Sequence, residues 1–277
     1  MDIQWFPGHM AKAMRHMKEG LSLVDIVVEV LDARIPIASR NPELIAIEKP
    51  KIIALNKSDL ANEKTNHKWR IFYEGLGFGV VLTNSVGGVG LKDIETKAKE
   101  MLKEKIERNR QRGRINTPVR AMIVGIPNSG KSTMINSFAK KKIAKVENRP
   151  GVTRAKQWIK ISKDFELLDT PGILWHKFDD KEIGINLALT GAIKDNVLDT
   201  ITLSRILIEK LLQIDENIIK SRYKLESLAL EPTEIIESIA KKRGFILQKG
   251  EVDINKAANI LIDEFRSGAL GRISLEN

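Results

Sequence analysis

Eight consecutive residues, Gly125-Ile126-Pro127-Asn128-Ser129-Gly130-Lys131-Ser132, fit the pattern G-x-x-x-x-G-K-[ST]. Two glycines let a backbone wrap closely around phosphate oxygens. Successive N–H groups, followed by a helix N-terminus, make a positively polarised nest for them. Lys131 would neutralise the β and γ phosphates of a nucleotide and is a candidate catalytic group, while the Ser132 hydroxyl would ligate magnesium. Asn128, Ser129, Gly130 and Thr133 join them as candidate nucleotide-binding residues. The loop by itself does not separate GTP from ATP.

Base choice points to Asn56-Lys57-Ser58-Asp59, an N-K-x-D sequence. A carboxylate at Asp59 can accept from both N1–H and the exocyclic amine of guanine. Adenine offers no donor at either place and would leave a partly buried charge unpaired, at a cost of roughly 1–3 kcal/mol. The Asn56 amide would face guanine N7, and the Lys57 stem could cover the purine face. The same residues also favour turns. Asn84-Ser85-Val86-Gly87-Gly88-Val89-Gly90 resembles the short loop that lies against the base edge in GTPases, with Asn84 and Ser85 as its candidate contacts. Asp169-Thr170-Pro171-Gly172 matches D-x-x-G, whose Asp holds magnesium through water and whose Gly N–H meets the γ-phosphate. Thr153, in Arg149-Pro150-Gly151-Val152-Thr153-Arg154, is the candidate switch threonine on the same metal.

These residues need elements that bring them together. Buried strands are predicted at 25–32, 51–55, 80–83, 120–125 and 165–169, the last four each leading into one of the polar loops. Apolar runs separated by longer helical or loop stretches indicate an α/β fold with a mostly parallel sheet and helices on both faces. Ligands of such sheets sit beyond the carboxyl ends of the strands, where all four motifs fall. One helix is predicted over 91–112, with Gly113 and Pro118 bracketing a linker to the phosphate-loop strand. After about Phe178 strand signals stop, and helices are expected at 197–214, 233–242 and 254–265, the last ended by Gly268 or Gly271. The expected domains are therefore residues 1–177, a nucleotide domain, and 178–277, an all-helical one.

Composition bounds the class. The 277 residues are 42% hydrophobic and 30% charged, as in a soluble globular protein, and contain no cysteine for disulfides, thiolate metal sites or thiol catalysis. No apolar run reaches the roughly 18 residues of a membrane span, and the N-terminus lacks a secretion signal, so a mature cytoplasmic protein is expected. The net charge of +10 is local: residues 92–163 hold 20 Lys and Arg against 6 Asp and Glu. Such concentration suggests a polyanionic partner or, equally, a solvated helix face.

The guanine motifs precede the phosphate motifs here, the reverse of Ras-like order, which reads as a circular permutation with the basic 92–118 segment as the joining piece. Chain termini that lie close together at the surface make such rewiring possible. The sequence resembles the RbgA/YlqF family of circularly permuted GTPases. Trp5-Phe6-Pro7-Gly8-His9-Met10, Leu31-Asp32-Ala33-Arg34-Ile35-Pro36, Ser39-Arg40-Asn41-Pro42 and Asp263-Glu264-Phe265-Arg266-Ser267-Gly268-Ala269-Leu270-Gly271 carry the likeness along with the permuted motifs. The resemblance implies GTP and GDP as ligands, large-subunit ribosomal RNA as partner, a helical RNA-binding C-terminal domain and cytoplasmic action; a monomer is expected.

Hydrolysis needs a group to orient water. Ras-like enzymes place a glutamine after D-x-x-G, but here that position is Ile173, which cannot hold water. Among His9, His16, His67 and His176, His9 in the aromatic-Pro-Gly segment is the first candidate and His176 the second. Asn128 matches the asparagine of potassium-activated GTPases and equally suits a turn, so potassium stands beside magnesium as a candidate cofactor.

Overall fold

Strands β1 (Ile26–Asp32) and β2 (Lys51–Asn56) are buried along their whole length, as expected of parallel strands covered on both faces. With β3 (Gly79–Leu82), β4 (Val119–Val124), β5 (Trp158–Ser162) and β6 (Phe165–Leu168) they form one sheet in the order β3-β2-β1-β4-β6-β5. The computed structural model describes residues 10–45, 47–114, 117–140, 158–169, 180–193, 199–228, 231–248 and 250–277. All strand pairs are parallel except β5–β6. The sequence pattern predicts five of these strands and misses β5, an edge strand that turns back through Lys163 and Asp164 and pairs antiparallel with β6.

Side chains alternate across the sheet with period two. Ile26, Val28 and Val30 of β1 join Ala121 and Ile123 of β4 on one face, covered by α3 (Leu91–Met101) and α5 (Lys131–Lys140) through Leu91, Ile94, Met134 and Phe138. The other face packs in two patches. Val27, Met122, Val124 and Leu168 lie with Met17 of α1 (Met10–Leu21), and Leu31, Ile53 and Leu55 lie with Trp69 and Tyr73 of α2 (Glu63–Gly75). Each Val or Ile buried there contributes about 1.5–3 kcal/mol, which is what holds the strand ends at fixed spacing. Trp69 packs in the second patch, and its indole N–H donates to the Glu276 carbonyl at 3.3 Å.

The single helix predicted over 91–112 is in fact two. Leu102, at φ −103° and ψ 14°, ends α3 and precedes α4 (Lys103–Gln111). Leu102 is the last residue of the segment to reach the core, and α4 buries none. With nothing apolar left to lay on the sheet, the chain departs from it.

The helical unit contains α6 (Lys181–Leu189), α7 (Thr200–Ile214), α8 (Asn217–Tyr223), α9 (Pro232–Arg243) and α10 (Ile254–Ser267). Leu207, Leu211, Ile236, Ile239, Leu261 and Phe265 share its core. Helix starts follow capping chemistry. Asp199 accepts from Thr202 N at 2.9 Å, so α7 begins at Thr200, and Pro232 supplies the first residue of α9. Gly268, φ +81°, ends α10 as expected. By packing, the described residues fall into this unit and the sheet unit, and Glu276 and Asn277 belong to the latter.

Candidate nucleotide site

The loops that follow β2, β3 and β4, and Asp169 after β6, lie at the carboxyl edge of the parallel strands. The phosphate loop leaves β4 through Gly125, φ +150°, where an added Cβ would stand 2.6 Å from the Val30 carbonyl of β1. Inside the loop the Ile126 carbonyl accepts from Ser129 Oγ at 3.0 Å and from Lys131 Nζ at 2.6 Å. The Ser129 hydroxyl, a candidate ligand contact, is therefore engaged in the loop itself. Asn128 is left-handed at φ +57°, the conformation of a turn residue. Helix α5 starts at Lys131, so the N–H groups of Lys131, Ser132 and Thr133 have no intrahelical acceptor and point to the anion position.

Lys131 is buried, and burial pushes its ammonium down to about 8 against the opposing charge of Asp169. That interaction places Asp169, directly after β6, by the phosphate loop. Ser132 is exposed at the first turn of α5. A hydroxyl and a carboxylate beside a phosphate nest are hard oxygen donors, the chemistry magnesium takes, so these residues fit that ion. Thr153, Gly172, Ile173, His9 and His176 lie outside the described residues; of His16 only its place in α1 is described, and His67 is exposed on α2.

Asn56 is the centre of the guanine side. Its Nδ2 donates to the Ser129 carbonyl at 2.8 Å, while its Oδ1 accepts from Ser85 Oγ at 2.7 Å, Ser85 N at 3.1 Å and Thr83 Oγ1 at 3.2 Å. The expected N7 contact must therefore come from the second amide hydrogen, since the first is spent on the phosphate loop. Gly130, φ +98°, makes room: a Cβ there would come within 2.1 Å of Asn56 Nδ2. Ser85 is drawn inward to Asn56 rather than presented to a base, and Ser137 Oγ of α5 donates to its carbonyl at 2.6 Å. Asn84 closes its own turn by accepting from Gly87 N at 2.9 Å and bridging Val89.

Ser58 N and Oγ donate to the Thr83 carbonyl at 3.1 and 3.0 Å. Asp59 is exposed, and among the described residues its carboxylate has no ion pair, which leaves its acceptors open to solvent. Lys57, left-handed at φ +57°, reaches back so that its Nζ donates to Asp32 Oδ2 at 2.8 Å. Asp32 ends β1 in register with Asn56 and also receives Arg34 through Nε at 3.0 Å and through the terminal nitrogen at 2.8 Å. Burial resists ionisation of Asp32, but the charges and hydrogen bonds of Arg34 and Lys57 outweigh it and hold the carboxyl well below the usual range. No role is assigned to Asp32 or Arg34 from the sequence; the available signal is an acid closing an apolar strand directly before an arginine.

A mostly parallel sheet with a G-x-x-x-x-G-K-[ST] loop at one strand end and N-K-x-D at another defines a P-loop GTPase that binds GTP. The family model described as 50S ribosome-binding GTPase matches residues 120–238. A protein named Ribosome biogenesis GTPase A from Bacillus licheniformis is 47% identical, over 100% of this chain and 98% of that one. Two solved structures, a GDP-bound YlqF (TM-score 0.67, covering 95% of this chain and 99% of that one) and a GNP-bound YlqF from T. maritima (0.66, 96% and 98%), are each 30% identical. The chain belongs to the ribosome biogenesis GTPase A (RbgA/YlqF) family.

Proposed function

We propose that this chain is a GTP-hydrolysing switch that assists late assembly of the large ribosomal subunit through ribosomal RNA. The observation that carries it is Asn56, which couples the guanine motif to the phosphate loop and so makes base recognition and triphosphate binding one unit. Full-length similarity to ribosome biogenesis GTPases, and a family model named for binding the 50S ribosome, support the partner. In this reading residues 1–177 are a circularly permuted GTPase domain and 178–277 an RNA-binding one.

Asn56, Lys57 and Asp59 hold guanine, with the backbone of the loop at Asn84 and Ser85 against the base edge and the Ser85 hydroxyl bracing Asn56. The amides of Asn128 to Thr133, with Lys131 and Gly172, hold the phosphates, and Ser132, Asp169 and Thr153 would hold magnesium, which would neutralise phosphate charge. His9 orients the attacking water, since Ile173 cannot. Potassium at Asn128 is a further part of the reading. Turnover is slow alone and stimulated by ribosomal particles, and the protein acts in the cytoplasm as a monomer.

Single-turnover GTP hydrolysis with and without purified large subunits tests the proposal. Stimulation by the particles, lost in His9→Ala at unchanged GTP affinity, is expected. Binding of particles with no acceleration would leave an RNA-binding module in which GTP is a structural ligand, and would overturn the switch.

A further inference from the structure

Away from the nucleotide loops, the amino ends of β1, β4 and β6 open on a cleft of about 680 Å³ lined by Asp25, Val119 and Asp164 together with Leu102, Ile106 and Arg110. Helix α4 forms its wall. A nine-residue helix that buries nothing gains little from packing, and helices this short are marginal on propensity alone. Charge over residues 103–114 is unbalanced: Lys103, Lys105, Arg108, Arg110, Arg112 and Arg114 stand against Glu104 and Glu107.

Two ion pairs anchor the region. Lys105 Nζ lies 2.6 Å from Asp25 Oδ1, and Lys99 Nζ 3.3 Å from Asp164 Oδ2. These fix α4 and α3 against the strand starts. The remaining cations, Lys103, Arg108, Arg110, Arg112 and Arg114, are exposed and have no acidic partner among the described residues, although Glu104 and Glu107 are four residues from Arg108 and Lys103. A solvated helix face of the ordinary kind would use those spacings for pairs. Favourable interaction with the helix C-terminus accounts for one or two cations in the last turn, not for four arginines in seven residues.

We infer that this basic segment, in which Arg110 and Arg114 line the cleft and Arg108 and Arg112 alternate with them in sequence, docks the phosphate backbone of duplex RNA. It deepens the RNA-partner reading above by giving the sheet unit its own contact, remote from the guanine and phosphate loops. Guanidinium forks suit phosphate oxygens better than ammonium groups do. Among the described residues no aromatic lines the cleft to give unstacked bases of a single strand a platform, and the readable feature is the backbone of an A-form helix.

The test uses the full chain, a duplex RNA of about 20 base pairs and a single strand of the same length, each titrated across salt concentrations. Replacing Arg108, Arg110, Arg112 and Arg114 by Ala should lower duplex affinity about tenfold or more at ~0.1 M salt and reduce the slope of log K against log salt by about 2–4. GTP affinity should stay within about twofold, since the face is far from the loops that hold nucleotide. Unchanged duplex affinity and slope would overturn the inference, as would wild-type protein that binds the single strand as tightly as the duplex. If wild-type protein binds neither RNA, the RNA partner of the proposed function falls with it. If the quadruple variant loses GTP binding, Arg112→Ala with Arg114→Ala, beyond the end of α4, is read by the same criteria with a slope change of about 1–2.

Discussion

Asn56 Nδ2 and the Ser129 carbonyl, 73 residues apart in sequence, stand 2.8 Å from each other. One amide thereby sets the distance between the strand end that selects a base and the loop that takes its phosphates. Asn56→Ala would strand the Ser129 carbonyl and the Ser85 hydroxyl, both buried. A loss of about 2–4 kcal/mol in unfolding free energy is expected from two or more unsatisfied groups, with GTP affinity down at least about tenfold. Urea melts and nucleotide titration read the two separately; a normal melt would show that the bridge is not structural.

Asp59 offers the opposite case, an exposed side chain whose value lies in what it meets. Asp59→Asn replaces a double acceptor by one acceptor and one donor, which mismatches guanine and matches xanthine. GTP affinity should drop by about 2–3 kcal/mol, near a hundredfold, and xanthosine triphosphate should gain. Melting temperature should not move. Equal loss of both nucleotides would place Asp59 outside the base pocket.

Lys131 gives a pH dependence of binding. Its ammonium is pushed down to about 8 by burial, and a triphosphate beside it would restore the charged form. Free protein loses the proton as pH rises past 8, while the complex keeps it. GTP affinity should therefore fall above pH 8 by up to about one log unit per pH unit, with proton uptake on binding. Calorimetry in buffers of different ionisation enthalpy measures that uptake, and none at pH 9 would refute it.

Glu29, in the middle of β1, gives a pH dependence of stability. Burial pushes its carboxyl up to about 7, against the opposing charges of Arg40 and Lys51, and neither of its oxygens has a hydrogen-bond partner among the described residues. Arg40 Nε is 3.8 Å away. The folded state keeps this proton to higher pH than the unfolded chain, whose carboxyl titrates near 4.5, so stability falls as pH rises from about 4.5 to 7. The change is of order 3 kcal/mol. Glu29→Gln should flatten that part of the stability curve; an unaltered curve would rule Glu29 out as its source.

The motifs were legible because each one follows an apolar run that physics commits to a buried parallel strand, and the carboxyl ends of such strands share one edge. Strand β5 was not, because Trp158-Ile159-Lys160-Ile161-Ser162 is a half-exposed edge whose partner is supplied only by the turn at Lys163 and Asp164. The break at Leu102 was hidden by helical spacing that continues to Ile106 although nothing remains for it to cover. Hardest to foresee was the use of Asn56 and Ser85 on each other, since base recognition and loop bracing call for the same residue types. Asp32 and Arg34 escaped for a related reason: their partner Lys57 is close in space through the β1–β2 register, not in sequence.

The position of β4 between β1 and β6 bears on how the molecule is born. As the polypeptide leaves the ribosome, β1, β2 and β3 emerge as a half-sheet with the flank of β1 bare. A nascent chain at that stage carries the purine-reading residues but no grip on a nucleotide. The pocket is complete only with β4 beside β1, because the phosphate loop leaves that strand.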